Sequence, residues 1–392
     1  MTRLQQWGFA PSWNPEPTGN TIESYLHNNV GFRGGMNINK IEATHNSGAV
    51  RFETFCDQPA DGAPEYAYYV YRNGEKIHVE WYKESPVFEY NHNGVDGFYH
   101  AAGFVKDSAG SIIQKSSNPL FLNPRVLTGG ISQEPASSQA LLFQSDEWEV
   151  PALYYPHAEN RLFVLTPSAV NRASYTLPSF HRFSWAARGL FPGKVLCFSD
   201  PMLDLHSKLE IGWCVGTHES DLADVLAKLI LDTAQSLGVP QEHIVTWGSS
   251  AGGFAALALS SRIEGSTAVA INPQIDALKY LNTAQVELFK TVAFAGISED
   301  EIRSEHIDRI DMLERKRNSK PFRSVLIQNI HDEHHFEIHA KPFWNALGGN
   351  VMDGWSECGN DLAYFYRDSG GHVPETEEML ADIVGKCFPV TA

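Results

Sequence analysis

The sequence predicts an α/β protein, a mostly parallel sheet with helices on both faces, preceded by a small N-terminal β-sandwich of the immunoglobulin or fibronectin kind. Three observations carry this expectation. Residues 48–125 are rich in aromatic and β-branched residues and show no helical periodicity. From about residue 140, short apolar runs alternate with amphipathic stretches, the pattern of βαβ units. Late in the chain, Gly248-Ser249-Ser250-Ala251-Gly252-Gly253 separates an apolar run from a helix of small residues. The 392 residues suit two or three domains. The division expected is an N-terminal extension over residues 1–45, a β-sandwich over 46–125 and the α/β domain over 126–392.

In the first region Tyr66–Tyr71 and Lys76–Tyr82 flank Arg72-Asn73-Gly74-Glu75. Alternation around Asn-Gly predicts a β-hairpin. Phe88–Tyr90, Gly97–Ala101 and Ser111–Ile113 continue as strands at turn spacings of about ten residues. The region shows no catalytic constellation, so it reads as a packing or ligand-presenting module, with a carbohydrate-contacting aromatic surface as the alternative. In the second region, strands are expected at Arg161–Leu165, Lys194–Phe198, Ile211–Val215, His243–Trp247, Ala268–Ile271, Ser324–Ile330 and Leu362–Tyr366. A helix is expected over Ser220–Ala234, with Ser220 as its cap and apolar positions 222, 225, 226, 229 and 230 on one face. A last helix is expected over Glu375–Val384.

Charge and composition narrow the function classes. Thirty Lys+Arg against 47 Asp+Glu give a net charge of −17, which argues against nucleic acid as partner. No apolar run reaches the roughly 18 residues of a membrane span. The N-terminus lacks the apolar core of roughly 7–15 residues found in a secretory leader, so a cytoplasmic location is expected, although a secreted chain trimmed of its leader would read the same. Five scattered cysteines form neither a disulfide framework nor a CxxC site. Cys197 and Cys214 are expected to be inert thiols in apolar strands, and Trp247 and Phe254 to be core. Nothing in the sequence calls for a cofactor, and it carries no reading of oligomeric state.

The Gly-Ser-Ser-Ala-Gly-Gly segment contains G-x-S-x-G centred on Ser250. The pattern alone is weak. A strand before it and a helix after it are what a nucleophile elbow needs, with glycines where strand and helix crowd. The helix start would aim N–H groups and the positive dipole end at developing negative charge. A glycine-rich helix start with an incidental serine is the alternative; a dinucleotide loop fails because G-x-G-x-x-G is absent. A serine hydroxyl needs a base, and the base an orienting carboxylate. Asp332 follows the strand Ser324–Ile330, and His372 lies in the glycine loop after Leu362–Tyr366. Glu333, Asp353 and Asp361 are rivals of Asp332 as the acid.

On these residues, the stretch 140–392 resembles the α/β-hydrolase superfamily, with Gly248–Gly253 as the elbow, Asp332-Glu333-His334-His335 after the acid strand and Gly370-Gly371-His372-Val373 as the histidine loop. The resemblance implies an eight-stranded, mostly parallel sheet and a Ser–Asp–His triad. It also implies an oxyanion hole from the N–H of Ala251 and one from Thr166–Val170, taken as Ser168 or Ala169, in a loop without the HGGG signature. Ser199-Asp200-Pro201 and Gly212-Trp213 further resemble a branch seen in bacterial surface-glycan and glycoprotein acyl-transfer systems.

The expected reaction is acyl transfer through acyl-Ser250, as a carbohydrate-ester (acetyl) esterase acting on a small-molecule or glycan ester. An O-acyltransferase on a bacterial polysaccharide or glycan, a peptidase, and a non-catalytic binding protein on a degenerate fold are the alternatives. The run His331–His339 is dense in metal-type ligands, with His335 and His339 four apart, but H-E-x-x-H is absent and no metal is expected.

Overall fold

The computed structural model describes residues 36–46, 48–57, 62–173 and 175–388. Of the extension expected over residues 1–45, residues 1–35 lie outside the described residues. The N-terminal region contains β1 (Ile38–Asn46), β2 (Ala49–Cys56), β3 (Glu65–Arg72), β4 (Glu75–Lys83), β5 (Val87–Asn91), β6 (Gly97–Lys106), β7 (Ile112–Ser116) and β8 (Leu120–Leu122). They form two antiparallel sheets, β1-β2-β5 and β4-β3-β6-β7, with β8 on β6. Ile41, Val50 and Phe52 of the first meet Tyr68, Val70, Tyr99 and Val105 of the second in one core. Strand β1 begins inside the segment expected to be an extension. A register shift between Ile38 and Lys40 breaks the apolar alternation, which hides the strand from a period-two reading. The β3–β4 hairpin turns at Asn73 and Gly74, both at positive φ, as its Asn-Gly demands.

The second region is a ten-stranded sheet. Its strands are β9 (Arg125–Leu127), β10 (Gln139–Gln144), β11 (Glu149–Tyr155), β12 (Leu162–Leu165), β13 (Lys194–Phe198), β14 (Ile244–Ser249), β15 (Thr267–Ile271), β16 (Arg323–Asn329), β17 (Gly354–Cys358) and β18 (Asp361–Tyr366). Their order is β17-β18-β16-β15-β14-β12-β13-β11-β10-β9. Strands β13, β12, β14, β15, β16 and β18 run parallel, β11 is antiparallel to both its neighbours, and β17 is an antiparallel edge. Helices cover both faces: Leu222–Ser236 and Ala251–Ser260 pack into the larger core, Phe183–Ala187 and Glu377–Cys387 into the other. Being covered twice, β12, β13 and β15 are buried at every position, so they read as continuous apolar runs. The chain leaves β12 outward to β13 and returns across it to β14. That reversal opens a crevice at the carboxyl ends of β12 and β14, where ligands bind in such sheets.

Three local expectations are corrected. Ile211–Val215 is not a strand; Trp213 and Cys214 sit in a turn at φ 53° and 55°. Its apolar character comes from packing, since Ile211, Trp213, Cys214 and Val215 all lie in the larger core. Cys214 is therefore buried outside any strand, while Cys197 lies in β13; burial pushes both thiols well above their ordinary pKa. The cap of Leu222–Ser236 is Asp221, whose carboxylate accepts from the N–H groups of Ala223 and Asp224. Ser220 instead accepts from the Trp148 indole at 2.9 Å. The last helix begins at Glu377 under a Thr376 cap, and Glu375 is buried rather than helical.

Candidate active site

Ser250 joins β14 to the Ala251–Ser260 helix at φ 56°, ψ −120°, a conformation L-residues rarely hold and one that costs roughly 1–3 kcal/mol. The surroundings enforce it. The Ser250 N–H donates to Ile271 O at 2.9 Å. The single Thr166 hydroxyl proton lies between Gly252 O, 2.7 Å from Oγ1, and Trp247 O at 3.0 Å, clamping the two limbs of the turn. A Cβ at Gly248 would lie 2.1 Å from Thr166 Oγ1 and 2.4 Å from the Gly252 backbone, so only glycine fits there. Trp247 and Phe254 are fully buried core. Ser250 thus stands half-buried at the head of a helix whose first N–H groups, Ala251's among them, the helix itself does not use. Ser168 is committed below the turn, its hydroxyl donating to Ser249 O at 3.2 Å. Its neighbour Ala169 packs against the larger core.

Asp332 lies in the turn after β16 and is 6% exposed, with a different histidine on each carboxylate oxygen. His335 Nδ1 is 2.9 Å from Oδ1, and His372 Nδ1 meets Oδ2. The two rings stack 4.1 Å apart. Burial by itself would push the Asp332 carboxyl up, but hydrogen bonds from His335 and His372 outweigh it and hold the group well below the usual carboxylate range. Burial depresses His335, with the Asp332 hydrogen bond partly opposing it. From His335 the contacts continue to the nucleophile: Gln274 Nε2 is 3.1 Å from His335 Nε2 and donates to Ser250 Oγ at 3.0 Å. Asp332 thus contacts His372 directly, and Ser250 is linked to them through Gln274 and His335, after the carboxyl ends of β14, β16 and β18.

The rival acids are elsewhere. Asp361 opens β18 at the opposite edge and holds Lys316 and Ser324. Asp353 forms an exposed pair with Arg367, and Glu333 is exposed. The histidine run is split by a π-helix over His335–Ala340. His339 turns away from the Asp332 site, its Nδ1 accepting from the Ile275 N–H at 3.2 Å. Among the described residues, Asp332, His335 and His372 offer ligand atoms within 4.8 Å of one another, as a metal would need. Each of those imidazole nitrogens already faces the carboxylate, an arrangement that a shared proton satisfies.

Three residues of this group went unread in the sequence. Asn272 and Asn329 end β15 and β16 and hold the His372 loop. Asn329 donates to Asp368 O at 2.7 Å and Gly371 O at 2.6 Å and accepts from the N–H groups of His331 and Asp368. Asn272 donates to Val373 O and the Tyr366 hydroxyl, both at 3.1 Å. Gln274 is the third, whereas His335 stood out in the sequence as part of the histidine run beside Asp332. The available signal was position: polar residues at the carboxyl ends of parallel strands.

No family model and no curated protein matches the sequence. Solved structures similar to it include the capsule O-acetyltransferase of Neisseria meningitidis serogroup A, at 15% identity and TM-score 0.47, covering 62% of this chain and 92% of that one. Prolyl oligopeptidase B from Galerina marginata is similar at 12% identity and TM-score 0.47, covering 90% of this chain and 57% of that one. The Gap123 glycosylation-associated protein complex of Streptococcus agalactiae is similar at 12% identity and TM-score 0.45, covering 91% and 73%. Among the described residues no helix is long and apolar enough to cross a membrane.

Proposed function

We propose that this chain is a serine hydrolase of the α/β-hydrolase type that works through an acyl-Ser250 on a carbohydrate ester. The observation that carries the reading is Ser250 held at φ 56° at a strand–helix turn, in one hydrogen-bonded group with Asp332 and its two histidines. His372 is the base, because its Nδ1 is anchored on Asp332 and its side chain is 21% exposed, whereas His335 is buried with both nitrogens engaged. With Nδ1–H on the carboxylate, His372 Nε2 takes the Ser250 proton as Oγ attacks the ester carbonyl. The same proton then goes to the leaving alcohol. Asp332, kept ionised, stabilises the imidazolium. The Ala251 N–H and a backbone N–H of Ser168 or Ala169 hold the oxyanion, each worth roughly 3–4 kcal/mol in the transition state. Water as the second acceptor gives an esterase; a sugar hydroxyl gives an O-acyltransferase. The two antiparallel sheets are read as a β-sandwich module beside this catalytic domain.

The test is fluorophosphonate labelling with the modified peptide identified by mass spectrometry. Labelling at Ser250, lost in Ser250→Ala and unchanged by EDTA, is expected. Labelling that persists in Ser250→Ala, or none in the native protein, overturns the reading. Release of acetate from acetylated sugars, with and without a sugar acceptor, separates hydrolysis from transfer.

A further inference from the structure

Gln274 is completely buried and contacts three functional groups at once. Its Oε1 accepts from the Trp213 indole N–H at 2.8 Å, and its Nε2 reaches both Ser250 Oγ and His335 Nε2. An indole N–H only donates, so the amide oxygen must face Trp213 and the NH₂ must face the serine and the histidine. Both amide hydrogens are then spent. One goes to Oγ and the other to a lone pair on His335 Nε2, which leaves the His335 proton on Nδ1, donated to Asp332 Oδ1. One indole therefore sets the polarity of the whole circuit.

The indole is itself held in place. Trp213 and Cys214 are consecutive residues at positive φ. The Cys214 N–H donates to Asp200 Oδ2 at 3.1 Å, and Asp200 Oδ1 accepts from the Met202 N–H at 3.0 Å. A Cβ at Gly212 would lie 2.7 Å from both Asp200 Oδ2 and Met202 Cβ, so the turn closes on this carboxylate only with glycine there.

We propose that Gln274 is a further catalytic residue, a hydrogen-bond donor to the nucleophile oxygen. We further propose that His335 and Trp213 are the positioning residues that fix its orientation. This rests on the reading of Ser250 as nucleophile. In the attack the Oγ–C bond forms while the Oγ proton passes to His372 and the carbonyl π pair moves to the oxyanion. In the breakdown of the acyl-enzyme the Oγ–C bond breaks, its electron pair returns to Oγ, and His372 gives the proton back. Oγ carries partial negative charge in both steps, and the amide N–H stabilises it in each. Because that N–H already occupies one lone pair of Oγ, the serine proton is left to point at another acceptor.

The experiment compares wild type, Gln274→Glu and Trp213→Phe in fluorophosphonate labelling rate and in kcat and KM for an aryl acetate, with melting temperature as the folding control. Gln274→Glu keeps the shape and replaces the donor by an acceptor; labelling and kcat are expected to fall about 100-fold with KM changed less than about threefold. Trp213→Phe frees the amide to turn, with a loss of about 5–10-fold expected in the same two rates. If Gln274→Glu does not fold, Trp213→Phe decides. Labelling within about twofold of wild type in the folded variants overturns the role of Gln274 while leaving Ser250 as nucleophile. A wild-type chain that does not label at Ser250 overturns the underlying reading instead.

Discussion

A side chain matters here through what it holds. Asn329 makes four hydrogen bonds to backbone groups just before Asp332 and just before His372, so it ties the Asp332 loop to the His372 loop. Asn329 is fully buried, and Asn329→Ala opens a cavity there and takes this partner from four partly buried backbone groups. Expected are a fall in kcat of about tenfold or more and a loss of about 2–3 kcal/mol in urea unfolding, against the few tenths typical of surface sites. Ser250 and His372 were legible as residues because their neighbours are diagnostic: glycines at both, an apolar run before, a helix after. His335 was legible as a member of the histidine run but not in its role, and Gln274 was not legible at all. Their polarity is that of any loop, and their role comes from which strand ends the sheet order sets side by side.

At the scale of elements, the apolar runs located the central strands β12 to β16 and β18 and the helix Leu222–Ser236, left β10, β11 and β17 unread, and misled where apolar character has another source. The run Ile211–Val215 is apolar because it is core, and its backbone is turned by Asp200 rather than paired in the sheet. The Leu222–Ser236 helix was legible from its apolar face, but Ser220 and Asp221 are both good caps by type, and only packing chose. Asp221 caps the helix and also meets Arg262 Nη2 at 2.5 Å, while Ser220 is drawn away by Trp148. Asp221→Ala removes both roles, with a loss of about 1–2 kcal/mol expected in chemical unfolding; Ser220→Ala is expected to leave helix content unchanged by circular dichroism.

Across the whole molecule the two regions share a packed joint. The Asn73-Gly74 turn docks on the α/β region, where a Cβ at Gly74 would lie 2.9 Å from Ala187 Cβ, and Tyr155 donates to Asn73 O at 2.8 Å. Phe98 of β6 packs edge-on against Phe180 and Phe183. Between those two rings' positions in the chain comes Arg182, whose Nε donates to Glu375 Oε1 at 2.9 Å, both side chains being buried. Glu375 lies three residues after His372, so this pair ties the joint to the base loop. Burial would raise the Glu375 carboxyl, but the charge of Arg182 and hydrogen bonds from His181 and Arg182 hold it well below its ordinary value. A carboxyl depressed in the folded state stabilises the protein above its unfolded pKa, near 4.3, and loses that contribution as pH falls toward the folded value. Melting temperature is therefore expected to drop as the solution is acidified below about pH 4. In Glu375→Gln it should start lower at pH 7, by about 3–5 kcal/mol of stability, and fall less steeply with acid.

The sequence by itself determined the αβ alternation and the hairpin at Asn73-Gly74, and it picked out Ser250, Asp332 and His372 as the candidate site. Each of these is written in local chemistry: periodicity, turn residues, and glycines around a nucleophile. Only the tertiary structure decided that one carboxylate serves two histidines and that an indole from a left-handed turn orients a buried amide on the serine. Apart from the neighbours His335 and Asp332, those relations join residues 24 to 61 positions apart. A hydrogen bond of this kind depends on which strands lie side by side, and strand order leaves no periodic trace in the chain.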